Sequence, residues 1–208
     1  MKVLVVGSGG WGTALALRLL DGGHAVTLWS YHDAERAVLK STRVNPLLPG
    51  VQLPETLRLT SSAEAAAEAE MVVFATPSFA VRATAKTFAP HLRADALVVS
   101  VTKGIEDGTG CRMSQIITQE TGKTVVALSG PSHAEEVSRG LPTGVVAACA
   151  DKLLAERVQN AFMSDCLRVY TCPDIVGVEL GAAHKNVIAL CAGCCDGMGC
   201  GDNTKALL

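Results

Sequence analysis

Three glycines close to the N-terminus have the spacing of a turn that can bind a pyrophosphate. They are Gly7, Gly9 and Gly12, and they follow directly after the segment KVLVV at 2–6, which is apolar from Val3 onward. The first glycine permits a tight turn after a buried strand, the second lets a phosphate approach the backbone, and the third lets the next helix pack closely on the strand. The free N–H groups at the start of that helix attract an anion. A glycine-rich turn without a ligand is the alternative, and the flanking strand and helix disfavour it.

Two lysines are the other residues that could take part in chemistry. Lys103 follows the apolar run at 96–101, at the end of a predicted strand, where it could bind an anionic substrate or simply be solvated. Lys185 lies in the otherwise apolar middle of a helix predicted over 174–195, and its helical face carries small and apolar residues. Lysine is rarely buried without a partner or a purpose, although its head could also reach solvent.

A further group of candidate residues follows the strand predicted at 124–128. Gly130, Pro131 and Ser132 come directly after it. In parallel sheets, ligands bind beyond the carboxyl ends of the strands, so these residues could share a site with Lys103. They could also be no more than a turn and a helix N-cap.

The end of the second predicted strand, at 25–29, bears on the choice of cofactor. In NAD-binding folds an Asp or Glu often ends this strand and holds the ribose 2′-OH. Tyr31 and His32 stand there instead, and Asp33 comes slightly late, where it could merely cap the next helix. No arginine is present to bind a 2′-phosphate, so both NAD and NADP stay open.

The elements that must position these residues alternate between strand and helix. The alternation predicts an α/β fold over residues 1–173, a Rossmann-like, doubly wound, mostly parallel sheet with helices on both faces. Residues 174–208 carry no strand signal and are predicted to be a linking helix and the beginning of an all-helical substrate domain. The predicted strands are 2–6, 25–29, 57–60, 71–75, 96–101, 124–128, 143–149 and 167–171, and the predicted helices start at 13 and 202 and occupy 33–41, 62–68, 79–91, 111–121, 132–138, 151–163 and 174–195.

Composition limits the class of protein. The chain has 208 residues, of which 49% are hydrophobic, and a formal net charge of −2. The hydrophobic fraction is enough for a sizeable core. The small net charge produces no strong electrostatic field that would attract nucleic acid or an anionic membrane. No run of residues reads as long and apolar enough to span a bilayer, and the first strand leaves no room for a secretion signal. A cytoplasmic protein is predicted, without a nucleic-acid partner or a membrane span.

The eight cysteines are expected to be reduced thiols, because no export signal is recognised. Cys191, Cys194 and Cys195 share one face of the helix predicted over 174–195. A structural zinc site usually has paired ligands held by loops, and no second cysteine pair or histidine pair is present. The cysteines are predicted to be small core residues, and no metal is expected.

Seven segments together resemble the prokaryotic-type family of NAD(P)-dependent glycerol-3-phosphate dehydrogenases. They follow the order of the family and cover nearly the whole chain, and TKGIE, GPSHAEE and HKN with GDNTKA are specific as a set. Related dehydrogenases of phosphogluconate or hydroxyacyl substrates share only the first glycine motif. The segments are GSGGWGTALA at 7–16, NPLLPG at 45–50, ATPS at 75–78, TKGIE at 102–106, LSGPSHAEEV at 128–137, ELGAAHKNVIALCAG at 179–193 and GDNTKAL at 201–207.

The resemblance implies a dinucleotide domain followed by an all-helical domain, and a homodimer when the protein is full-length. It implies the interconversion of sn-glycerol 3-phosphate and dihydroxyacetone phosphate with NAD or NADP, which feeds glycerophospholipid synthesis. The family's aspartate and its Arg-Asn pair, which complete the substrate site, would lie beyond Leu208. The chain is therefore expected to be part of a longer protein.

The resemblance also implies roles for individual residues. Lys185 matches the family's proton acceptor, and Lys103 would steady the negative charge that develops on the substrate oxygen. The family commonly has serine where this chain has Gly10, so one side-chain contact would be missing. With the glycine turn included, the expected cofactor contacts are Gly7, Gly9, Gly10, Trp11, Gly12, Tyr31 or His32, Lys103 and Ala134, and the expected substrate contacts are Lys103, Gly130, Ser132 and Lys185.

The environment of Lys185 would have to make it a base. A fully solvated lysine is charged at neutral pH and accepts no proton. Burial on an apolar helix face and the nearby charge of Lys103 would both disfavour the charged form of Lys185. Two other functions stay open: a module that binds NAD without turnover, and a dehydrogenase that acts on another small hydroxy acid.

Overall fold

An eight-stranded sheet lies at the centre of the computed structural model, which describes all of residues 1–208. The strand order is β3-β2-β1-β4-β5-β6-β7-β8. Neighbouring strands are parallel except for β6 and β7. This arrangement confirms the Rossmann-like, mostly parallel sheet. The strands are β1 (Lys2–Val6), β2 (Ala25–Trp29), β3 (Arg58–Thr60), β4 (Met71–Phe74), β5 (Leu97–Ser100), β6 (Val125–Ser129), β7 (Thr143–Ala148) and β8 (Leu167–Cys172).

The antiparallel pairing of β6 with β7 is the main departure from a uniformly parallel sheet. Ser129 at the end of β6 pairs with Val146 of β7, so the chain turns back at the carboxyl edge instead of crossing the sheet. The connection over 130–142 contains only the five-residue helix Ala134–Ser138, and antiparallel neighbours can be joined without a crossover of the sheet. The reversal keeps residues 130–142 at the edge where ligands bind in such folds.

The helices occupy nearly the predicted positions. The α-helices are α1 (Gly10–Asp21), α2 (Asp33–Thr42), α3 (Val81–Phe88), α4 (Met113–Thr121), α5 (Ala134–Ser138), α6 (Lys152–Phe162), α7 (Ile175–Gly197) and α8 (Asp202–Lys205), and the 3-10 helices are Ala63–Glu68, Ser78–Ala80 and Ala89–His91.

Two predicted α-helices have a different form in the structure. The segment predicted at 62–68 is a 3-10 helix, Ala63–Glu68. A 3-10 helix rises about 2.0 Å per residue instead of about 1.5 Å, so a short connection covers more distance. The helix predicted at 79–91 is divided into α3 and two 3-10 helices that flank it. Pro90 stands in the second of these, where it has no N–H to continue the α-helical pattern.

The hydrophobic core has two layers, one on each face of the sheet. The larger layer contains 27 buried residues, including Val3 and Val5 of β1 and Leu15 of α1. The second layer contains 15, including Leu4 of β1 and Phe88 of α3. Alternate residues of β1 enter opposite layers, which explains why the strand is apolar from Val3 to Val6.

The long helix α7 differs from the rest of the structure in its exposure. It has 23 residues, and only Glu179 and Cys195 are buried. By length and composition it is apolar enough to cross a membrane, so the prediction that no segment would meet this criterion was wrong. The criterion considers only length and composition, and buried core helices of soluble proteins also meet it.

The cysteines are all free, and their exposure differs. Cys149 and Cys195 are buried, whereas Cys191 and Cys194 are exposed on α7. The prediction that the cysteines of this helix are core residues is therefore wrong for two of the three. No group of three or more His, Cys, Asp or Glu side chains in the structure could hold a metal ion.

Candidate functional site

A cleft of about 1030 Å³ opens at the carboxyl ends of the central parallel strands. Its walls come from the glycine turn after β1, from the end of β2 and from the segments that follow β4 and β5. A smaller cavity of about 320 Å³ lies between the amino-terminal ends of β1, β2 and β3, and it contains none of the predicted site residues. The larger cleft is therefore the candidate site, in agreement with the rule for open α/β sheets.

The glycine turn fits a bound pyrophosphate. Gly7 has a φ of +127°, and a Cβ there would lie 2.6 Å from the carbonyl oxygen of Ala75. A Cβ on Gly12 would collide with the carbonyl oxygen of Gly7. Gly9 has no neighbouring atom within 4 Å of its Cβ position, so its backbone faces open space at the start of α1. Two of the glycines are thus required by packing, and the third leaves the space that a phosphate group needs.

Asn45 holds this turn in place. It is 2% exposed, and its Nδ2 donates to the carbonyl oxygen of Ser8 at 2.9 Å and to Oγ1 of Thr13 at 2.7 Å. The backbone N–H of Leu47 donates to its Oδ1 at 2.9 Å. Sequence reasoning assigned Asn45 no role of its own, although it begins the NPLLPG segment. The signal that could have identified it is a polar residue that directly precedes a proline-rich loop.

The wall beyond β2 brings together the other expected cofactor residues. Trp11, Tyr31 and His32 line the cleft, and Tyr31 is 75% exposed. Ala134, the first residue of α5, lies 3.6 Å from the position that a Cβ on Gly10 would take. Trp11, Tyr31 and His32 thus share the cleft with the glycine turn, and Ala134 lies beside Gly10.

Two lining residues were missed by the sequence reasoning. Glu35, in the first turn of α2, accepts hydrogen bonds at Oε2 from Ser8 Oγ at 3.0 Å and from Ser30 Oγ at 3.2 Å. Phe79, which follows the ATPS segment, is 89% exposed on the cleft wall. An acidic residue in the helix turn after β2 and an aromatic residue after a strand end were the available signals.

Lys103, Gly130 and Ser132 meet at the other end of the cleft. Lys103 Nζ donates to the carbonyl oxygen of Gly130 at 3.1 Å and to Ser132 Oγ at 2.6 Å. Gly130 has a φ of +151°, and a Cβ there would lie 3.0 Å from the carbonyl oxygen of Gly144. The strand ends of β5 and β6 thus bring a cation, a hydroxyl and a glycine backbone to one place.

Lys103 is half-buried, and its charge is disfavoured. Burial lowers the pKa of Lys103 first, and the positive charge of Lys185 lowers it further. The two lysines are therefore close enough to interact, although they lie 82 residues apart in the sequence. Lys103 lines the cleft, and Lys185 does not.

The surroundings of Lys185 differ from the prediction. Its side chain is exposed on α7 and not buried on an apolar face. The face was misjudged because only Glu179 and Cys195 of α7 are buried. Lys103 is its neighbour, but the burial that was expected at this position is absent.

Glu179 anchors α7 to the sheet domain. It is 6% exposed, accepts hydrogen bonds from the backbone N–H of Ser114 at 2.8 Å and from Ser114 Oγ at 2.5 Å, and pairs with Arg112. The anchor lies six residues before Lys185, so it fixes the direction in which the helix carries that lysine. A lone carboxylate in an apolar stretch was the missed signal, since such a group is rarely buried unless it is paired.

Comparison with known proteins gives a consistent result. Residues 2–155 match the family model described as the N-terminus of NAD-dependent glycerol-3-phosphate dehydrogenase, and residues 174–208 match the one described as its C-terminus. A glycerol-3-phosphate dehydrogenase (NAD(P)+) of Desulfitobacterium hafniense is 49% identical over 209 residues, which cover 100% of this chain and 59% of the relative. The corresponding protein of Moorella thermoacetica is also 49% identical, with 100% and 62% covered.

A solved structure agrees with the sequence relatives. The crystal structure of glycerol-3-phosphate dehydrogenase from Coxiella burnetii superimposes with a TM-score of 0.91 and 32% identity. The match covers 99% of this chain and 64% of that one. The chain thus spans about three fifths of the length of the relatives it matches.

Proposed function

The chain belongs to the family of NAD-dependent glycerol-3-phosphate dehydrogenases, and on that premise we propose that it serves the interconversion of sn-glycerol 3-phosphate and dihydroxyacetone phosphate with NAD or NADP. One observation carries the proposal: Lys103 is hydrogen-bonded to Ser132 and Gly130 at the end of a cleft whose other end is a dinucleotide turn. A cation beside hydroxyl and carbonyl groups suits a substrate that carries both negative charge and hydroxyl groups.

In this proposal, the dinucleotide is held by the glycine turn and by Trp11, Tyr31, His32 and Ala134. The packing of Gly7 and Gly12 fixes the turn. Because Gly9 has no side chain, the backbone N–H groups of Gly9 and of the residues after it are open to the pyrophosphate. When bound, the nicotinamide supplies hydride transfer to or from the substrate C2. The protein supplies position and electric field.

In this proposal, Lys103 and Lys185 have different roles toward the substrate. Lys103 is held by Ser132 Oγ and the Gly130 carbonyl, so its ammonium group is already oriented where negative charge develops on the C2 oxygen. Lys185 exchanges the proton of that oxygen as general acid or base. The effect of the Lys185 charge, which lowers the pKa of Lys103, supports this division because it indicates that the two side chains are neighbours.

Residues 174–208 are proposed to begin the helical substrate domain, after a dinucleotide domain over 1–173. The separate family matches at 2–155 and 174–208 support this boundary. Exposed apolar residues of α7, such as Val187 and Leu190, offer surface for further helices or for a second copy, so we also propose a homodimer. The eight free cysteines support a cytoplasmic location, and the product glycerol 3-phosphate suits a role in supplying glycerophospholipid synthesis.

Mixing the protein with NADH and dihydroxyacetone phosphate tests the proposal. Oxidation of NADH that depends on dihydroxyacetone phosphate is the expected result. Binding of NADH without oxidation would favour a second candidate, a module that binds the dinucleotide without turnover. The exposure of Lys185 is the observation that favours this second candidate.

A further inference from the structure

We propose that Glu35 makes the cleft select NAD(H) over NADP(H). The inference rests on the proposed function only in requiring that the cleft binds a dinucleotide. The strand end after β2 lacks the usual acidic residue, because Ser30, Tyr31 and His32 stand there. Glu35 supplies a carboxylate to the same wall from the first turn of α2.

The orientation of the Glu35 carboxylate is fixed by two buried serines. Ser8 is 6% exposed and Ser30 is 1% exposed. Their hydroxyls lie 3.0 Å and 3.2 Å from Glu35 Oε2, and Ser8 Oγ also lies 2.9 Å from Ser30 Oγ. All of these contacts use Oε2, whereas Oε1 receives no hydrogen bond from the protein. The carboxylate is therefore held at one oxygen and free to accept at the other.

Ser8 links this carboxylate to the pyrophosphate turn. It stands between Gly7 and Gly9, so Glu35 is one hydrogen bond away from the backbone that would hold the phosphates. In dinucleotide folds, the adenosine ribose lies between that turn and the end of the second strand, where a carboxylate accepts from its 2′-OH. The free Oε1 of Glu35 is placed to accept that hydrogen bond.

The charges nearby disfavour a 2′-phosphate. Lys103 is the only lysine or arginine that lines the cleft, and it is bound at the other end by Ser132 and Gly130. Arg36 follows Glu35 but does not line the cleft, and its Nη1 lies 2.7 Å from Asp33 Oδ1. His32 is the remaining lining side chain that can carry a positive charge. A 2′-phosphate would thus meet a carboxylate without an arginine to neutralise it.

The test measures the dissociation constants of NADH and NADPH by calorimetric titration, for the protein and for Glu35→Gln. We expect NADH to bind at least about tenfold more tightly than NADPH, because a charge-assisted hydrogen bond is replaced by repulsion. Glu35→Gln should weaken the binding of NADH and strengthen the binding of NADPH. The ratio of the two dissociation constants should therefore fall by about tenfold. Asp33→Asn is the matched control, since it removes a neighbouring carboxylate that does not line the cleft, and it should change the ratio by less than twofold.

Glu35→Asp keeps the charge and shortens the side chain. It should therefore weaken the binding of NADH, while NADPH still binds more weakly than NADH. It also keeps the test valid if Glu35→Gln fails to fold, which circular dichroism would reveal. Equal binding of NADH and NADPH, or an unchanged ratio in Glu35→Gln, would overturn the inference and leave only a structural tie between α2 and the turn. Failure of both dinucleotides to bind would instead overturn the proposed function.

Discussion

At the dinucleotide end of the cleft the backbone is fixed by close packing, whereas at the other end the candidate group Lys103 is a charged side chain held by hydrogen bonds. Gly7 and Gly12 have no room for a Cβ, and Asn45 is fully engaged beneath them. Lys103 is half-buried and Lys185 is exposed. Changes at the first end should therefore disturb folding and binding together, and changes at the second should alter chemistry while the fold persists.

The largest expected effect is that of Lys185→Ala, measured in the full-length enzyme. Loss of a general acid–base group typically costs about 10²–10⁴-fold in rate, and we expect kcat to fall by that amount. Lys185 is exposed, so the melting temperature should stay unchanged. Lys86→Ala, at an exposed lysine of α3, is the matched control for the loss of charge. Turnover within a few-fold of the parent would remove Lys185 from the mechanism.

The anchor of α7 should show the next largest effect. Glu179→Ala leaves Arg112 and the Ser114 hydroxyl without their buried partner, and breaking a buried pair typically costs about 3–5 kcal/mol. Chemical denaturation should reveal a loss of about that size, together with reduced turnover because Lys185 is carried by the same helix. Glu156→Ala, at an exposed pair with Lys152, should change stability by about 0.5 kcal/mol or less. Similar losses in the two variants would show that the Glu179 network does not hold α7.

Two glycines of the turn separate packing from ligand contact. Gly12→Ala places a Cβ against the carbonyl oxygen of Gly7, and overpacking of this kind costs about 1–3 kcal/mol. Gly9→Ala places the same methyl group in open space, so stability should change by about 0.5 kcal/mol or less. NADH titration should nevertheless show weaker binding to Gly9→Ala, because the methyl group occupies the approach of the pyrophosphate. Unweakened binding would mean that the open space beside Gly9 is not the phosphate site.

Much of the fold follows from local patterns. Strands such as β1 and β4 are short apolar runs that end at glycine or at Thr76-Pro77, and burial on both faces explains that composition. The reversal at β7 could not be predicted, because strand direction depends on where residues 130–142 can pack and not on the composition of β7. The exposure of α7 was misjudged for a similar reason, since an apolar helix does not identify the surface that covers it.

The candidate site was predictable where a residue type is required by backbone geometry or carries a rare charge. Gly7, Gly12 and Lys103 are of that kind: the two glycines have no room for a Cβ, and Lys103 Nζ donates to Ser132 Oγ. Glu35 and Glu179 were missed because each acts through partners distant in sequence, Ser8 for the one and Ser114 for the other. The local signals, an acidic residue in a first helix turn and a lone carboxylate in an apolar stretch, indicate that a residue deserves notice but not which partners it binds.

The coupling between the two lysines gives the smallest expected effect. Burial and the charge of Lys185 lower the pKa of Lys103, so Lys185→Met should raise the Lys103 pKa towards its ordinary value. The resonances of the Lys103 side chain, followed by NMR through a pH titration, would report this. Lys86→Met is the control and should leave the titration in place, because that exposed lysine lies on α3.

The same shift predicts how stability changes with pH. The folded protein binds the Lys103 proton less tightly than the unfolded chain does. Between the lowered pKa and the ordinary pKa, the unfolded state therefore holds more protons, and the contribution of Lys103 to stability rises with pH across that interval. Below the lowered pKa, Lys103 is charged in both the folded and the unfolded state, and the unfavourable burial of the cation reduces the free energy of unfolding by its full amount. Lys103→Met should flatten this alkaline rise in denaturation measurements, and an identical pH profile in the variant would mean that the half-buried position imposes no cost on the lysine charge.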